Sequence, residues 1–198
     1  MADFTNPSTQ TSGHLVTAAE WNELVNNNKF FDETRYLELD MAESHAPTVT
    51  AVAPLEKGSS AAGTPCVSWH QRTFAAGTVQ GCQWAKPIPP EYKDSPKLVV
   101  LGYMATATGG TVVVNGYVSS ESVGDIGTAP AFDTANAATI TVPGTAASIF
   151  AVSITLTNND SLAASDHATF HFQRVGTATA DTAGGNFIAK KAMFTYGI

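Results

Sequence analysis

Charge is scarce in this chain. Only 14% of its 198 residues are charged, against roughly 25% in a typical domain, so the surface has to be built from Thr, Ser, Asn and backbone. Such a surface suits packing against other proteins. Ten Lys and Arg face seventeen Asp and Glu, leaving a net charge of −7, and Lys190-Lys191 is the one adjacent basic pair. Phosphate backbones need a basic face, so nucleic acid is excluded as a partner. No apolar run approaches the roughly 20 residues of a membrane-spanning helix, which sets a membrane partner aside. Met1–His14 (MADFTNPSTQTSGH) has neither a basic start nor an apolar centre. No secretion signal is expected there, and assembly in a cytoplasm is the expectation.

Cysteine is equally sparse. Cys66 and Cys82 are the only two, too few for a disulfide framework. Both fall in strand-like segments and read as buried small hydrophobes, with a cross-strand disulfide as the alternative.

Catalytic signatures are missing too. Nothing in the chain resembles G-x-S-x-G, a phosphate-cradling glycine loop, H-E-x-x-H or C-x-x-C. His167 and His171, the one close pair of histidines, would sit roughly 13 Å apart on one strand face, too far to share a metal; exposed or interface histidines are expected. Glu121 and Asp125 with Asp133, or Asn158-Asn159-Asp160, supply loop oxygens of the kind calcium takes, but without EF-hand spacing. No catalytic residue, metal or cofactor is assigned, and the chain is read as a non-enzyme.

What is there divides into three zones. Residues 1–16 are polar, broken by Asn6-Pro7 and Ser12-Gly13, and read as an extended anchoring arm. Residues 17–47 form a helix and linker. Thr17 and Glu20 make a capping box, with Val16 and Trp21 in the staple positions. Trp21, Leu24, Val25, Asn28 and Phe31 then recur three or four apart as one stripe, which suits either packing on the domain or an oligomerisation helix with Asn28 setting register. The helix ends near Asn28, or continues through Tyr36 and Leu37 towards Met41, stopping before Pro47.

Residues 48–198 alternate with period two between Gly, Pro and Asn breaks. The expected strands are Pro65–Phe74, Gln80–Lys86, Lys97–Thr106, Gly110–Ser119, Thr139–Val142, Ser148–Thr157, Asp166–Val175 and Asn186–Tyr196. Eight short strands with turn signals between them indicate an antiparallel sandwich or barrel. In Asp166–Val175, Ala168, Phe170 and Phe172 share one face, while His167, Thr169, His171 and Gln173 share the other. Arg174 has the inward parity, and Asp181 lies across the turn VGTATA, within reach of a bidentate ion pair.

The run HATFHFQRVGTATADTAGGNFIAKKAMFTYGI resembles the end of a family of bacteriophage virion proteins. In that family an aromatic-alternating strand ends in Arg, then come a Gly/Thr turn, an Ala-Asp-Thr element and a final aromatic strand. The matching residues here are Phe170, Phe172, Arg174, Ala180, Asp181, Thr182, Gly185, Phe194 and Tyr196. Upstream, GGTVVVNGYVSS and ATITVPGTAASIFAVSITLT fit the family's middle strands, so the resemblance runs from about Gln80 to the end. It departs at Val112, Val113, Val114 and Tyr117, where relatives often carry an aromatic-rich strand.

The resemblance implies a jelly-roll-like sandwich, usually a homotrimer, displayed on a virion. The leading expectation is a capsid decoration protein or head fibre, bound to the major capsid protein or another virion protein through residues 1–16. The alternative is a tail fibre or receptor-binding module contacting host surface glycans. A glycan-active enzyme is disfavoured, because such enzymes usually need a longer chain with a repeated β-helix pattern.

Overall fold

The computed structural model describes residues 35–47, 51–60, 66–127 and 130–198. The arm, the capped helix start and the stripe from Trp21 to Phe31 therefore lie outside the described residues. Within them the strands are β1 (Arg35–Leu39), β2 (Ala51–Val52), β3 (Leu55–Ser59), β4 (Ser68–Phe74), β5 (Val79–Pro87), β6 (Asp94–Met104), β7 (Thr111–Glu121), β8 (Asn136–Thr141), β9 (Phe150–Thr155), β10 (His167–Val175) and β11 (Phe187–Gly197). One sheet runs β3-β4-β11-β6-β9, with β1 also on β11; the other runs β2-β5-β10-β7-β8. Setting aside the three short additions β1, β2 and β3, the order β4-β11-β6-β9 against β5-β10-β7-β8 is a jelly roll of two Greek keys. All its pairings are antiparallel; β2 alone joins in parallel.

The eight strands read from periodicity are these eight, with ends displaced by no more than three residues. Alternation places them. In β7 the inward-facing set is Val112, Val114, Gly116 and Val118, and in β10 it is Ala168, Phe170, Phe172 and Arg174, all buried. Between the sheets, Phe74 meets Phe172 edge-on at 5.2 Å, Phe187 lies 6.3 Å from Phe172, and Phe170 lies 4.8 Å from Phe194. Each fully buried ring of this size contributes about 1.5–3 kcal/mol by leaving water.

The weaker alternation of the last strand has a local cause. A register shift between Ala189 and Lys191 resets its parity, so Phe187 and Ala189 face inward before it, and Ala192, Phe194 and Tyr196 after it. The bulge also divides one edge of β11 between two partners, β4 at 187–189 and β1 at 192–196.

Continuation of the helix to Met41 is overturned. Arg35–Leu39 pairs with Tyr196 through Ala192 as a strand, with Leu37 and Leu39 alternating towards the core and Leu39 wholly buried. The three-to-four spacing holds only from Trp21 to Phe31, and beyond it the open edge of β11 offers Arg35–Leu39 backbone pairing and burial that outweigh helix propensity. Arg35–Leu39, upstream of Thr48, is thus part of the sheet. Cys82 is buried as expected of a small hydrophobe, but Cys66 is exposed, and both thiols are free. Burial pushes the Cys82 thiol up to about 12, so thiol reagents are expected to label Cys66 alone in the folded protein; labelling of Cys82 at a comparable rate would contradict the packing.

Candidate functional site on the five-stranded sheet

Strand pairing puts the outward residues of β5, β10 and β7 in rows. His171 lies opposite Gln83 on one side and Tyr117 on the other; Gln173 lies between Gly81 and Asn115; Thr169 lies between Ala85 and Ser119. An isolated bridge from His45 to Gln83 extends the His171 row by one residue. Three steps of strand spacing make that row about 14 Å wide, the span of a short oligosaccharide.

The loop between β7 and β8 covers part of this face. Asp133 donates its backbone N–H to Val118 O at 2.9 Å, which folds the preceding residue back over the sheet. The Phe132 ring lies 6.1 Å from Tyr117 and 5.7 Å from His171, while Tyr117 and His171 meet edge-on at 5.4 Å. Phe132 remains 40% exposed. Beneath it the polar groups are already oriented: Asn115 Nδ2 donates to the Tyr117 hydroxyl, which donates to Gln173 Oε1, both at 3.3 Å.

His171 was expected to be exposed or in an interface. It is instead 5% exposed, and its Nδ1 is buried without a hydrogen-bond partner. Gly81 makes the room: a Cβ there would stand 2.5 Å from His171 Cε1 and 3.1 Å from Phe172 O. Burial pushes the imidazole down to about 4, from an ordinary 6.5. Between those values the unfolded chain takes up a proton at this site and the folded chain does not. Stability therefore rises with pH across that window and is lost as pH falls through it, by up to ~3 kcal/mol. Gly81→Ala is expected to push the ring towards water and raise its NMR titration midpoint towards the ordinary histidine value. A midpoint left near 4 would contradict this packing.

The acidic residues do not converge on a metal. Among the described residues no three His, Cys, Asp or Glu side chains are placed to hold an ion. Their oxygens serve the loops instead. Asp160 Oδ2 accepts from Ser120 N, Asp133 from Asp160 N and Thr134 N, and Asp125 from Ser122 N. The Asn158 side chain donates to Ala135 O, and its backbone N–H donates to Asn136 Oδ1. His167 points outward, 3.7 Å from Glu121.

Arg174 and Asp181 do meet, away from this face. Arg174 is wholly buried. Its Nε and one terminal nitrogen donate to the two Asp181 oxygens at 3.0 and 2.7 Å. The remaining N–H groups reach Phe74 O, Gly185 O and Ala183 O. Asp181 Oδ2 also accepts from Val113 N at 3.0 Å. The pair ties β7, the end of β4 and the β10–β11 connection together, and is structural.

No family model matches the sequence, and no curated protein is significantly similar to it. Solved structures with a similar course do exist. A xylan-binding module (CBM15) shares 14% identity over 83% of this chain and 97% of its own, with a TM-score of 0.45. The family 11 carbohydrate-binding module from Clostridium thermocellum, in complex with a β-1,3-1,4-mixed-linked tetrasaccharide, shares 12% over 80% and 94%, with a TM-score of 0.38. Desmodium yellow mottle tymovirus shares 13% over 78% and 94%, with a TM-score of 0.24. At these identities no site residue carries across.

Sequence reasoning singled out His171, Gln173 and Tyr117 only as alternating or departing residues, and missed Phe132, Gln83 and Asn115. The available signal was the outward parity of amide and aromatic side chains on three expected strands, plus one aromatic in the loop between two of them.

Proposed function

We propose that this chain is a non-catalytic module that contacts a glycan on the outer face of its five-stranded sheet. Phe132, backed by Tyr117 and His171, is the platform, and Gln83, Asn115 and Gln173 are the hydrogen-bonding groups. One observation carries the reading: a loop aromatic is folded back onto a sheet face, half open to solvent, over two neighbouring rows that hold three side-chain amides. A sugar ring presents an apolar C–H face and a rim of hydroxyls that both donate and accept. An aromatic plane and amides, which also do both, match that chemistry. What the similar modules bind belongs to those proteins; here the face itself is the support.

Among the sequence-level expectations this favours the receptor-binding alternative over shell decoration, for which the described residues carry no specific feature. The virion setting, the trimer and attachment through residues 1–16 remain proposals supported by the resemblance from Gln80 onward and by the composition of the arm.

Affinity electrophoresis in gels containing soluble polysaccharides tests the reading. The full chain is expected to be retarded by at least one of them, and Phe132→Ala to lose at least about tenfold in affinity, the effect of losing one central aromatic contact. Because Phe132 is partly exposed and in a loop, the variant should stay folded by circular dichroism. Retardation that survives the substitution unchanged would move the site elsewhere.

A further inference from the structure

Away from its Glu121 end, the outer face that carries Phe132 is free of charge. On β5, β10 and β7 the outward residues beyond the row Pro87–His167–Glu121 at that end are Ala85, Gln83, Gly81 and Val79; Thr169, His171, Gln173 and Val175; and Ser119, Tyr117, Asn115 and Val113. His171 is the one titratable side chain among these besides the Tyr117 phenol, and burial keeps it neutral. Its Nδ1 is buried beneath the platform without a hydrogen-bond partner, so the ring brings no charge to the face.

One end of the face is acidic. A depression of about 380 Å³, lined by Glu121, Asp125, Ala131 and Asp160 among others, with no Lys or Arg in its wall, adjoins Phe132 through Ala131. Asp133 follows Phe132 directly, and its carboxyl is held below the usual range by the backbone N–H groups of Asp160 and Thr134.

We infer that the glycan taken here is a neutral one, and that Glu121 and Asp125 act as specificity residues that turn away chains bearing carboxylates or sulfates. The inference rests on the glycan reading above. An anionic sugar laid on this face would leave water without meeting a cation, and would approach several carboxylates within a Debye length at ordinary salt. Rejection by a built-in repulsive element is an economical way to discriminate between ligands of the same shape.

Calorimetric titration of the full chain tests it, at about pH 8, above the histidine range. The probes are neutral hexaoses of glucose, mannose, galactose and xylose, and the hexamers of galacturonate and mannuronate. At about 0.01 M salt, where the screening length is long, a neutral hexaose is expected to bind at least about tenfold more tightly than either acidic one. The gap should narrow at about 1 M salt and in the Glu121→Gln/Asp125→Asn variant, with the neutral ligand's affinity unchanged by either.

An acidic hexamer that binds at low salt as tightly as every neutral one overturns the inference. So does a gap that persists undiminished in the double variant. If Phe132→Ala abolishes binding in either case, the glycan reading stands and the selectivity alone falls. If no oligosaccharide of either kind binds, the glycan reading falls and takes this inference with it.

Discussion

Asp181→Ala is expected to destabilise the sandwich by about 3–5 kcal/mol, because it strands the Arg174 guanidinium in the interior without its counter-charge. The side chains are 0% and 2% exposed, so water cannot replace the lost carboxylate. Three backbone carbonyls would still accept from Arg174, but they are dipoles, and the N–H of Val113 would lose its acceptor as well. For a domain of this size, that loss corresponds to a fall in melting temperature of about 10 °C. Asp181→Asn keeps acceptor geometry without the charge and should fall between. Replacing both residues by apolar ones should recover part of the loss, since no buried charge is then left unpaired. A melting temperature unchanged in Asp181→Ala would show that the pair does not hold the β10–β11 connection.

Phe187→Ala is the second large effect, at about 3–5 kcal/mol from lost transfer energy and the cavity left behind. Its ring stands 6.0 Å from Phe74, 5.7 Å from Phe150 and 6.3 Å from Phe172, and so joins both sheets. The site cannot close easily around a smaller side chain, because Gly102 beneath the ring has no side chain to move. A Cβ added at Gly102 would lie 2.7 Å from the Phe187 ring and 2.4 Å from Ile188 O. Gly102→Ala is therefore damaging by itself, and removing the Phe187 ring relieves only half the conflict, since the carbonyl stays. Chemical denaturation of the single and double variants measures this. A double variant as stable as the wild type would contradict the close approach of β6 and β11.

The eight strands were legible in the sequence because each buries one face, and a half-buried strand writes its pleat directly into the residue order; their jelly-roll order was expected only from the resemblance. Arg174 and Asp181 were legible as a candidate pair for a related reason: parity places one inside and a short connection keeps the other near. β1, β2 and β3 were not. β2 has two residues, and β1 and β3 are mostly exposed, so burial leaves little pattern in them, and their place is fixed by edges that distant residues supply. The candidate site was legible only in part. Gln83, His171 and Tyr117 come from three strands far apart in the chain, and no local spacing announces their row. Phe132 depends on one backbone bond, from Asp133 to Val118, that folds its loop back. His171 shows the limit of parity most clearly: its outward direction was right, but it is buried on that outer face, against Tyr117, Phe132 and the space left by Gly81.

The central claim is that a glycan sits on Phe132 and the amides of Gln83, Asn115 and Gln173. The most direct measurement is a two-dimensional nitrogen–proton NMR titration of the full chain with whichever polysaccharide-derived oligosaccharide retards it in gels. The account predicts shift changes concentrated at the backbone amides of Gln83, Tyr117, Phe132, His171 and Gln173 and at the side-chain amides of Gln83, Asn115 and Gln173, with the outer face of the β4-β11-β6-β9 sheet unmoved. Changes confined to that other sheet, or to the loops at the opposite end of the sandwich, would contradict it.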